Sequence, residues 1–285
     1  MIKRVVCLFL ALALLGTILA GCSSGGSQGA GGQQATGGQQ AAGGQQAAGG
    51  QQAAEEQQAA NRLEAILKRG YIEVVTEPYF APNEFLDPSK PDGENIVGAD
   101  IEFARYIADK LGVECRIIPL EFSAVQAGVT EGKYDLAISA LAYTPLREEA
   151  MGLSKGYYFD RKNRGHGLLI RIEDKEKIKG PDDVKGLVVV AQSGSLQELF
   201  VNQQLDGYKE FKRVSSTSDT FLSVQERKAD VGVSAIATAE LHILANPDSG
   251  LMLVENFSFY QDESTLGTRV GMPKDEPELL AKINE

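Results

Sequence analysis

The amino-acid sequence predicts an α/β fold that is divided into two lobes. Strand-like and helix-like patterns alternate between residues 71 and 140, and the same rhythm returns after Gly186. An extended segment rich in aromatic residues, Tyr157 to Ile170, separates the two runs. Because alternating strands and helices pack as layers, each run predicts one α/β lobe, and we expect a cleft between the two.

Short β-rich runs and amphipathic periodicity define the individual elements. In the first run we predict the strands Tyr71–Thr76, Cys115–Leu120 and Tyr134–Ala140 and the helices Ala59–Arg69, Asp100–Leu111 and Ala124–Glu131. In the second run we predict the strands Leu187–Ala191 and Val231–Ala235 and the helices Leu196–Gln204 and Thr220–Arg227. We expect lobe 1 to span residues 61–160 and lobe 2 to span residues 161–265, and we expect residues 266–285 to return to lobe 1.

The N-terminus carries the pattern of a signal peptide. Lys3 and Arg4 precede an apolar run, Val5 to Ala20, which is followed by Gly21 and Cys22. A membrane-spanning helix is the alternative, but this run is shorter than the about 20 apolar residues that cross a bilayer, and it ends in small residues. We therefore expect residues 1–21 to be removed and the protein to be exported.

The sequence Leu19-Ala20-Gly21-Cys22 resembles the lipobox of bacterial lipoproteins, in which the cysteine is acylated. The resemblance implies that lipid on Cys22 anchors the protein to the outer face of the cytoplasmic membrane or to the periplasmic side of the cell envelope. An ordinary cleavage site that contains a cysteine is the alternative. If Cys7 leaves with the signal and Cys22 carries lipid, Cys115 is the one cysteine left, and we expect no intramolecular disulfide.

Residues 22–60 form a low-complexity linker. From Gly31 to Ala60 a hexad repeats as GGQQAT, then three copies of GGQQAA, then EEQQAA. Without aromatic or branched aliphatic residues this repeat cannot bury enough surface to offset chain entropy, so we expect it to be disordered. A helical repeat is the alternative, but the Gly-Gly pairs would interrupt it.

Two turns that lead into helices predict anion-binding sites, because a helix N-terminus presents unpaired N–H groups and a partial positive charge. In the first turn Thr144 can cap a helix that begins at Pro145, and Arg147 lies where a cation opposes the helix dipole. The second turn, Gln192 to Glu198, contains a Ser-x-x-Glu capping box. Each turn also has a structural alternative, namely an ion pair between Arg147 and a neighbouring glutamate, and a capped helix that binds nothing.

Five short stretches of this sequence carry a resemblance to a known family. They are Thr76-Glu77-Pro78-Tyr79-Phe80-Ala81-Pro82, Val97-Gly98-Ala99-Asp100-Ile101, Gly132-Lys133-Tyr134-Asp135-Leu136, Thr144-Pro145-Leu146-Arg147 and Gln192-Ser193-Gly194-Ser195. Together they resemble the family 3 extracellular solute-binding proteins, the polar amino-acid receptors of ABC importers. The resemblance extends over about residues 61 to 284. It implies a type II periplasmic-binding-protein fold, with two lobes joined by a two-segment hinge, and a partnership with ABC permease subunits in the membrane.

The resemblance also implies a ligand site between the lobes. Arg147 would bind the α-carboxylate of the ligand, as a planar guanidinium does well. The backbone N–H groups of Ala142 and of Ser195 or Leu196 would share that carboxylate. The other positions that the resemblance places at the site are Phe80 and Phe122 as aromatic walls, Glu77 near a polar or cationic group of the ligand, and Ala140, Gln192, Gln197 and Ser234.

From these residues we expect a small carboxylate-bearing ligand, foremost a polar or cationic amino acid. The resemblance implies that the ligand docks on lobe 1 and that lobe 2 closes over it. We expect the hinge near Phe159 to Lys162 and again near Asp262 to Gly267, where the chain passes between the lobes.

The sequence departs from the family pattern at the strand after Asp230. Family members normally end this strand in an Asp that holds the α-ammonium of the ligand, and here that position is Ala235. A buried ammonium without a partner costs several kcal/mol, so either Glu77 substitutes for the missing Asp or the ligand lacks an amino group. The family also usually continues in a further helical segment after the part that matches Pro277 to Glu285.

Two other classes of function stay open on the sequence alone. One is an enzyme on the same fold, such as a dehydratase, and the other is a lipoprotein that senses its ligand without transport. His166 and His242 lie far apart with no Cys or His at ligand spacing, and a Gly-x-Ser-x-Gly elbow is absent. We therefore expect no catalytic residues, no metal and no cofactor. The formal net charge of −11 argues against a nucleic-acid partner.

Overall fold

A computed structural model describes residues 59–159 and 164–285 of the chain. Within them the α-helices are α1 (Arg62–Arg69), α2 (Ala99–Leu111), α3 (Phe122–Thr130), α4 (Pro145–Ala150), α5 (Leu196–Gln204), α6 (Thr217–Gln225), α7 (Ile236–Ala245) and α8 (Pro277–Asn284). The strands are β1 (Tyr71–Thr76), β2 (Tyr79–Phe80), β3 (Glu84–Leu86), β4 (Ile96–Val97), β5 (Glu114–Pro119), β6 (Leu136–Ala137), β7 (Gly152–Leu153), β8 (His166–Arg171), β9 (Val188–Gln192), β10 (Glu210–Val214), β11 (Val231–Ala235), β12 (Leu251–Leu253) and β13 (Gly271–Met272). Short 3-10 helices lie at Ile172–Asp174, Pro181–Val184, Pro247–Ser249 and Glu263–Thr265.

Lobe 1 is built on a sheet with the strand order β5-β1-β6-β13-β7. Strand β1 pairs in parallel with β5 and β6, whereas β13 pairs antiparallel with β6 and β7. The core on this sheet includes Ile66 of α1, Val74 of β1, Ala104 of α2 and Leu279 of α8, all buried. Helices α1 and α8, from the two ends of the described chain, thus bury their apolar faces on the same sheet.

Lobe 2 is built on a second sheet with the strand order β10-β9-β11-β8-β12. Strand β9 pairs in parallel with β10 and β11, and β8 pairs antiparallel with β11 and β12. Val189 and Ala191 of β9, Phe200 of α5 and Leu168 of β8 are buried together in its core. A third, small sheet, β2-β3-β4, contains Phe80.

The predicted fold class is confirmed, because the molecule has two lobes that each contain a mixed sheet covered by helices. The bounds of β1, β11 and α5 are those that the sequence predicts. Helix α1 begins three residues later than predicted, at Arg62, because the Asn61 side chain caps it by accepting a hydrogen bond from the Glu64 N–H at 2.9 Å.

Three sequence predictions about elements are wrong in detail. The strand predicted at Tyr134–Ala140 is limited to Leu136–Ala137, and the chain turns soon after it at Ala140, whose φ is +45°. The helix predicted at Thr220–Arg227 begins instead at Thr217, because the Ser216 hydroxyl accepts from the Asp219 N–H at 3.0 Å. The extended segment predicted as a separator ends in a regular strand of lobe 2, because residues from His166 onward pair with β11.

Several of the predictions from sequence concern residues outside the described ranges. They are the signal peptide at 1–21, the lipidated Cys22, the linker repeat up to residue 58 and most of the hinge segment expected at Phe159 to Lys162. Across residues 59–159 and 164–285, none of the helices combines the length and the apolar character needed to cross a membrane.

Candidate functional site

A cavity of about 40 Å³ lies where the two lobes meet. Lobe 1 lines it with residues from the β1–β2 turn, α3 and the segment that leads into α4, and lobe 2 lines it with residues from β8, the end of β9 and the start of α5. The lining residues are Glu77, Phe80, Glu84, Phe122, Ser139, Ala140, Ala142, Arg147, His166, Gln192, Ser195, Leu196 and Gln197. The structure thus brings together every residue that the sequence placed at the ligand site except Ser234.

Arg147 is the buried cation of this cavity. Its guanidinium donates from Nε to Gln126 Oε1 at 3.0 Å, from Nη1 to the Ala142 carbonyl at 2.7 Å and from Nη2 to the Gly194 carbonyl at 2.9 Å. Burial lowers the pKa of Arg147 from 12.5 to about 10. All three of these acceptors are neutral, and none of the described carboxylates lies within ion-pair distance of Arg147. Arg147 therefore brings a positive charge to the cavity without a counter-ion among the described residues.

The local sequence explains the position of Arg147. The Thr144 hydroxyl caps α4 by accepting from the Arg147 N–H at 3.1 Å, and Pro145 occupies the first helical position. These are the roles that the sequence predicted for both residues. The Phe122 ring, at the start of α3, lies 5.4 Å from the central carbon of the guanidinium. It therefore faces Arg147 as well as the cavity.

The second predicted turn presents the N-terminus of α5 to the cavity. Ser195 caps the helix by accepting from the Glu198 N–H at 3.2 Å, and Glu198 accepts in return from the Gly194 N–H at 2.7 Å. In a regular capping box this second hydrogen bond comes from the N–H of the capping residue, here Ser195. In this structure it comes instead from the N–H of Gly194, one residue earlier. Gly194 has φ +72°, a conformation that favours glycine, and this turn directs its carbonyl to Arg147 of lobe 1.

Glu77 is one of two buried acids that line the cavity. Its Oε1 accepts from the backbone N–H of Thr217 in lobe 2 at 3.4 Å. Burial raises the pKa of Glu77 from 4.5 to about 7, although hydrogen bonds from the Thr217 backbone, the Gln192 side chain and the Tyr79 backbone oppose the rise. Near neutral pH this carboxyl therefore lies close to the midpoint between its neutral and its charged form, and a cation brought beside it would favour the charged form.

Two further acids lie behind Glu77. The Ser139 hydroxyl accepts from the Glu77 N–H at 3.0 Å and donates to Glu84 Oε1 at 3.3 Å. Burial, and then the charge of Asp100, hold the pKa of Glu84 well above its usual range. Asp100 accepts from the Ala140 N–H at 2.7 Å and from the Tyr157 hydroxyl at 2.8 Å, so it fixes the left-handed turn at Ala140 beside the cavity.

Ser234 does not line this cavity. Its side chain is buried and donates to the Ala235 carbonyl at 3.2 Å. Ala235 instead lines a second and larger cavity of about 490 Å³, which adjoins the first and shares five lining residues with it. The shared residues are Phe80, Ala140, Ala142, His166 and Leu196. The end of β11 therefore lies on the larger cavity.

Sequence reasoning missed Glu84, Ser139 and His166 as lining residues. Glu84 and Ser139 lie close to predicted positions along the chain, but a buried glutamate without a cation has no sequence signature. His166 pairs with Ala235 across the β8–β11 ladder, and this antiparallel pairing could not be anticipated from an isolated strand pattern. One available signal was the scarcity of histidine, since the chain has only two.

Two α/β lobes that meet around a small cavity are the architecture of periplasmic-binding proteins. The sequence matches the bacterial extracellular solute-binding proteins, family 3, over residues 72–285, and the chain belongs to that family. It is 28% identical over 197 residues to the arginine-binding extracellular protein ArtP of Bacillus subtilis, and this alignment covers 68% of this chain and 72% of the relative. It is 25% identical over 195 residues to a probable histidine-binding protein of Campylobacter jejuni, and this alignment covers 67% of each chain.

Solved structures give the same result. The amino acid ABC transporter substrate-binding protein AbpA of Streptococcus pneumoniae, bound to L-arginine, superposes with a TM-score of 0.68 at 29% identity, over 78% of this chain and 89% of the other. An arginine-bound, truncated ArgBP of T. maritima superposes with a TM-score of 0.66 at 29% identity, over 77% of this chain and 95% of the other. These similarities confirm the predicted fold and the predicted family.

Proposed function

We propose that this chain is the solute-binding subunit of an ABC importer and that it captures a small carboxylate-bearing solute, foremost a polar or cationic amino acid. The observation that carries the proposal is the buried guanidinium of Arg147, which has only neutral acceptors among the described residues. A buried charge that lacks a counter-ion is costly, so a ligand carboxylate at this place would be bound strongly.

Glu77 supports the cationic half of the proposal. It lines the same cavity as Arg147, and the described residues provide no ion-pair partner for it. A ligand with a carboxylate at one end and a positive group at the other matches the Arg147 and Glu77 pair in sign. Relatives that bind arginine, such as ArtP of Bacillus subtilis, are consistent with such a ligand.

Capture is proposed to occur by closure of lobe 2 on lobe 1. Both Arg147 and Gln126 of lobe 1 donate to the Gly194 carbonyl of lobe 2, at 2.9 and 3.2 Å. Contacts at the ligand site are therefore also contacts between the lobes, which is the arrangement expected if ligand binding stabilises the closed form. We place the lobes at residues 61–160 with 266–285 and at residues 161–265, with the hinge where the chain crosses between them.

Export and lipid anchoring at Cys22 are part of the proposal. The apolar run at residues 5–20 and the Leu-Ala-Gly-Cys sequence support them. A tether of the length of residues 22–60 would let an anchored domain reach permease subunits in the same membrane.

Ligand-induced stabilisation tests the proposed function. The purified protein is heated with L-arginine, L-lysine, L-histidine, L-glutamine and simple carboxylic acids, and the unfolding midpoint is recorded. A true ligand at 100 times its dissociation constant adds about 2.7 kcal/mol of stability and raises the midpoint. Arg147→Ala should weaken that ligand by about 1.5 to 3 kcal/mol, or roughly 10- to 150-fold, because it removes a charged hydrogen-bond donor.

Arg105→Ala is the matched control, since Arg105 is an exposed residue of α2 that pairs with Glu102. It should leave ligand affinity unchanged. Equal affinity of the Arg147→Ala variant and the unmodified protein for every ligand that binds would remove Arg147 from the site. A panel in which nothing shifts the midpoint would exclude free amino acids and simple carboxylic acids as ligands.

A further inference from the structure

The cavity of about 490 Å³ beside the ligand site has the volume of a small-molecule site in its own right. Apolar residues of both lobes form much of its wall, among them Pro82, Tyr158, Leu241 and Leu266. The smaller cavity, at about 40 Å³, has room for only a few water molecules. A solute bound at Arg147 therefore finds most of its available space in the larger cavity.

The charges around the two cavities match one positive group on the ligand and not two. Among the described residues that line them, the acids are Glu77, Glu84 and Glu240. Glu240 pairs with Arg164, and Glu84 is buried beside the negative Asp100, which favours its neutral form. Within the described part of the chain, Glu77 is thus the lining acid left for a ligand cation.

A free cationic amino acid carries two positive groups, the α-ammonium and the side chain. With the side-chain cation at Glu77 and the carboxylate at Arg147, the described lining residues offer the α-nitrogen no further carboxylate to pair with. The residue at the end of β11, which borders the larger cavity, is the apolar Ala235. A buried, unpaired ammonium there would be strongly unfavourable.

Two buried polar atoms with no hydrogen-bond partner among the described residues belong to residues that line the same wall. His166 is cross-strand to Ala235 and lines both cavities, and its Nδ1 atom is buried without a hydrogen-bond partner. Burial lowers the pKa of His166 to about 4, with the Gln261 side chain opposing the fall, so the imidazole is neutral at physiological pH and can accept a hydrogen bond. Arg164, on the larger cavity, has a buried Nε–H for which the described residues likewise provide no acceptor.

We propose that the ligand is an N-acylated α-amino acid, with its carboxylate at Arg147, its amide facing His166 and its acyl substituent in the larger cavity. An amide offers one N–H donor and one carbonyl acceptor, which match the unpaired His166 Nδ1 and Arg164 Nε–H. Acylation also removes the positive charge from the α-nitrogen, and the cavity provides the volume for the substituent. This inference rests on the proposed function, because it assigns the rest of a ligand whose carboxylate is held by Arg147.

Calorimetric titration of the whole protein with matched ligands tests the inference. L-Arginine is compared with N-acetyl-L-arginine and with N-benzoyl-L-arginine, which carry the same carboxylate and side chain but an uncharged amide nitrogen. We expect at least one acylated ligand to bind about tenfold or more tightly than L-arginine, which corresponds to about 1.4 kcal/mol. Tighter binding of the acetyl compound would indicate a small acyl substituent, and tighter binding of the benzoyl compound would indicate a bulky one.

Ala235→Asp is the diagnostic variant, because it places a carboxylate on the cavity wall where the α-nitrogen is expected. It should shift the ratio of dissociation constants toward free L-arginine by about tenfold or more, as a new charge pair would. Ala235→Asn, which has the same shape without the charge, should not produce this shift. The comparison on the unmodified protein stands even if a variant does not fold.

Binding of L-arginine as tightly as, or more tightly than, both acylated ligands would overturn the inference while leaving the proposed function intact. If L-arginine, both acylated ligands and the panel of free amino acids and carboxylic acids all fail to bind, the proposed function fails as well. The two failures are therefore distinguishable in one set of titrations.

Discussion

At the scale of single residues, the proposed site contains two buried ionisable groups whose charge states are set by different means. Arg147 keeps its charge, because even its lowered pKa of about 10 lies well above neutral pH. The pKa of Glu77 is raised by burial to about 7, so its charge depends on pH and on what lies beside it. The acid end of the site is thus the adjustable one, and the basic end is fixed.

Glu77 should make the ligand-free protein less stable as the pH rises. An ordinary glutamate in the unfolded chain has a pKa near 4.5, whereas folded Glu77 holds its proton to about pH 7. Between these two values the folded state binds more protons than the unfolded state, so stability falls with rising pH, by about 3 kcal/mol in total. Glu77→Gln removes this titration. Denaturant unfolding at pH 4.5 to 8 should show the variant gaining stability relative to the unmodified protein across this window.

The difference between variant and unmodified protein is the informative quantity. The buried His166 has a lowered pKa, so its own contribution to stability rises with pH over part of the same range. His166 is present in both proteins and cancels in the difference. Glu94→Gln changes an exposed glutamate in lobe 1 and serves as the control. A difference curve for Glu77→Gln that is flat with pH would show that the carboxyl is not desolvated in the folded state.

At the scale of elements, the sequence predicted the helix starts and strands that depend on residues close together in the chain. Capping residues located the start of α4 at Thr144 and of α5 at Ser195, and apolar β-rich runs located β1 and β11. The family resemblance brought in most of the site residues. Neither the local pattern nor the family resemblance could reveal the burial of Glu77 or the larger cavity. Both features arise from side chains of two lobes that are distant in sequence. Glu77, for example, meets Thr217 across the interface between lobes.

Helix α2 illustrates how a local constraint supports the site. The N-terminus of α2 lies against the β2–β3 turn, where the Asp100 N–H donates to the Asn83 carbonyl at 2.9 Å. Gly98, just before the helix, has φ +127° and ψ 175°, which is a region that essentially only glycine adopts. A Cβ at Gly98 would lie 2.2 Å from the Asn83 carbonyl oxygen. This close approach sets Asp100 where it bonds to the Ala140 N–H.

Gly98→Ala should therefore destabilise lobe 1 by about 3 kcal/mol or more, because strain and a clash with rigid backbone add together. Urea unfolding of the variant measures the loss. Gly93→Ala is the matched control, since Gly93 also has a positive φ, +87°, but a Cβ there would meet nothing within 4 Å. The control should cost about 1 to 2 kcal/mol. Equal losses for the two variants would mean that α2 can move away from the Asn83 carbonyl at little cost.

At the scale of the whole molecule, hydrogen bonds between the lobes surround the proposed ligand site. The Gly194 carbonyl accepts from Gln126 and Arg147, and the Thr238 hydroxyl of α7 donates to the Ala81 carbonyl at 2.9 Å. Together with the Thr217 bond to Glu77, these contacts hold the lobes together around both cavities. Entry of a ligand into so small a space beside Arg147 should therefore require the lobes to separate.

A disulfide across the cleft should prevent that separation. A Cβ at Gly194 would lie 3.9 Å from the Ser123 Cβ, within the spacing of disulfide-bonded residues. In a Cys115→Ser background, Ser123→Cys with Gly194→Cys should form this bond when oxidised. By reducing the loop entropy of the unfolded chain, the bond should raise the free energy of unfolding by about 4 kcal/mol. Strain from a cysteine at Gly194 reduces this gain, and the single Gly194→Cys variant measures that strain. Added ligand should then fail to bind in calorimetry until a reductant is supplied. Undiminished binding by the fully oxidised protein would show that the solute reaches Arg147 without separation of the lobes.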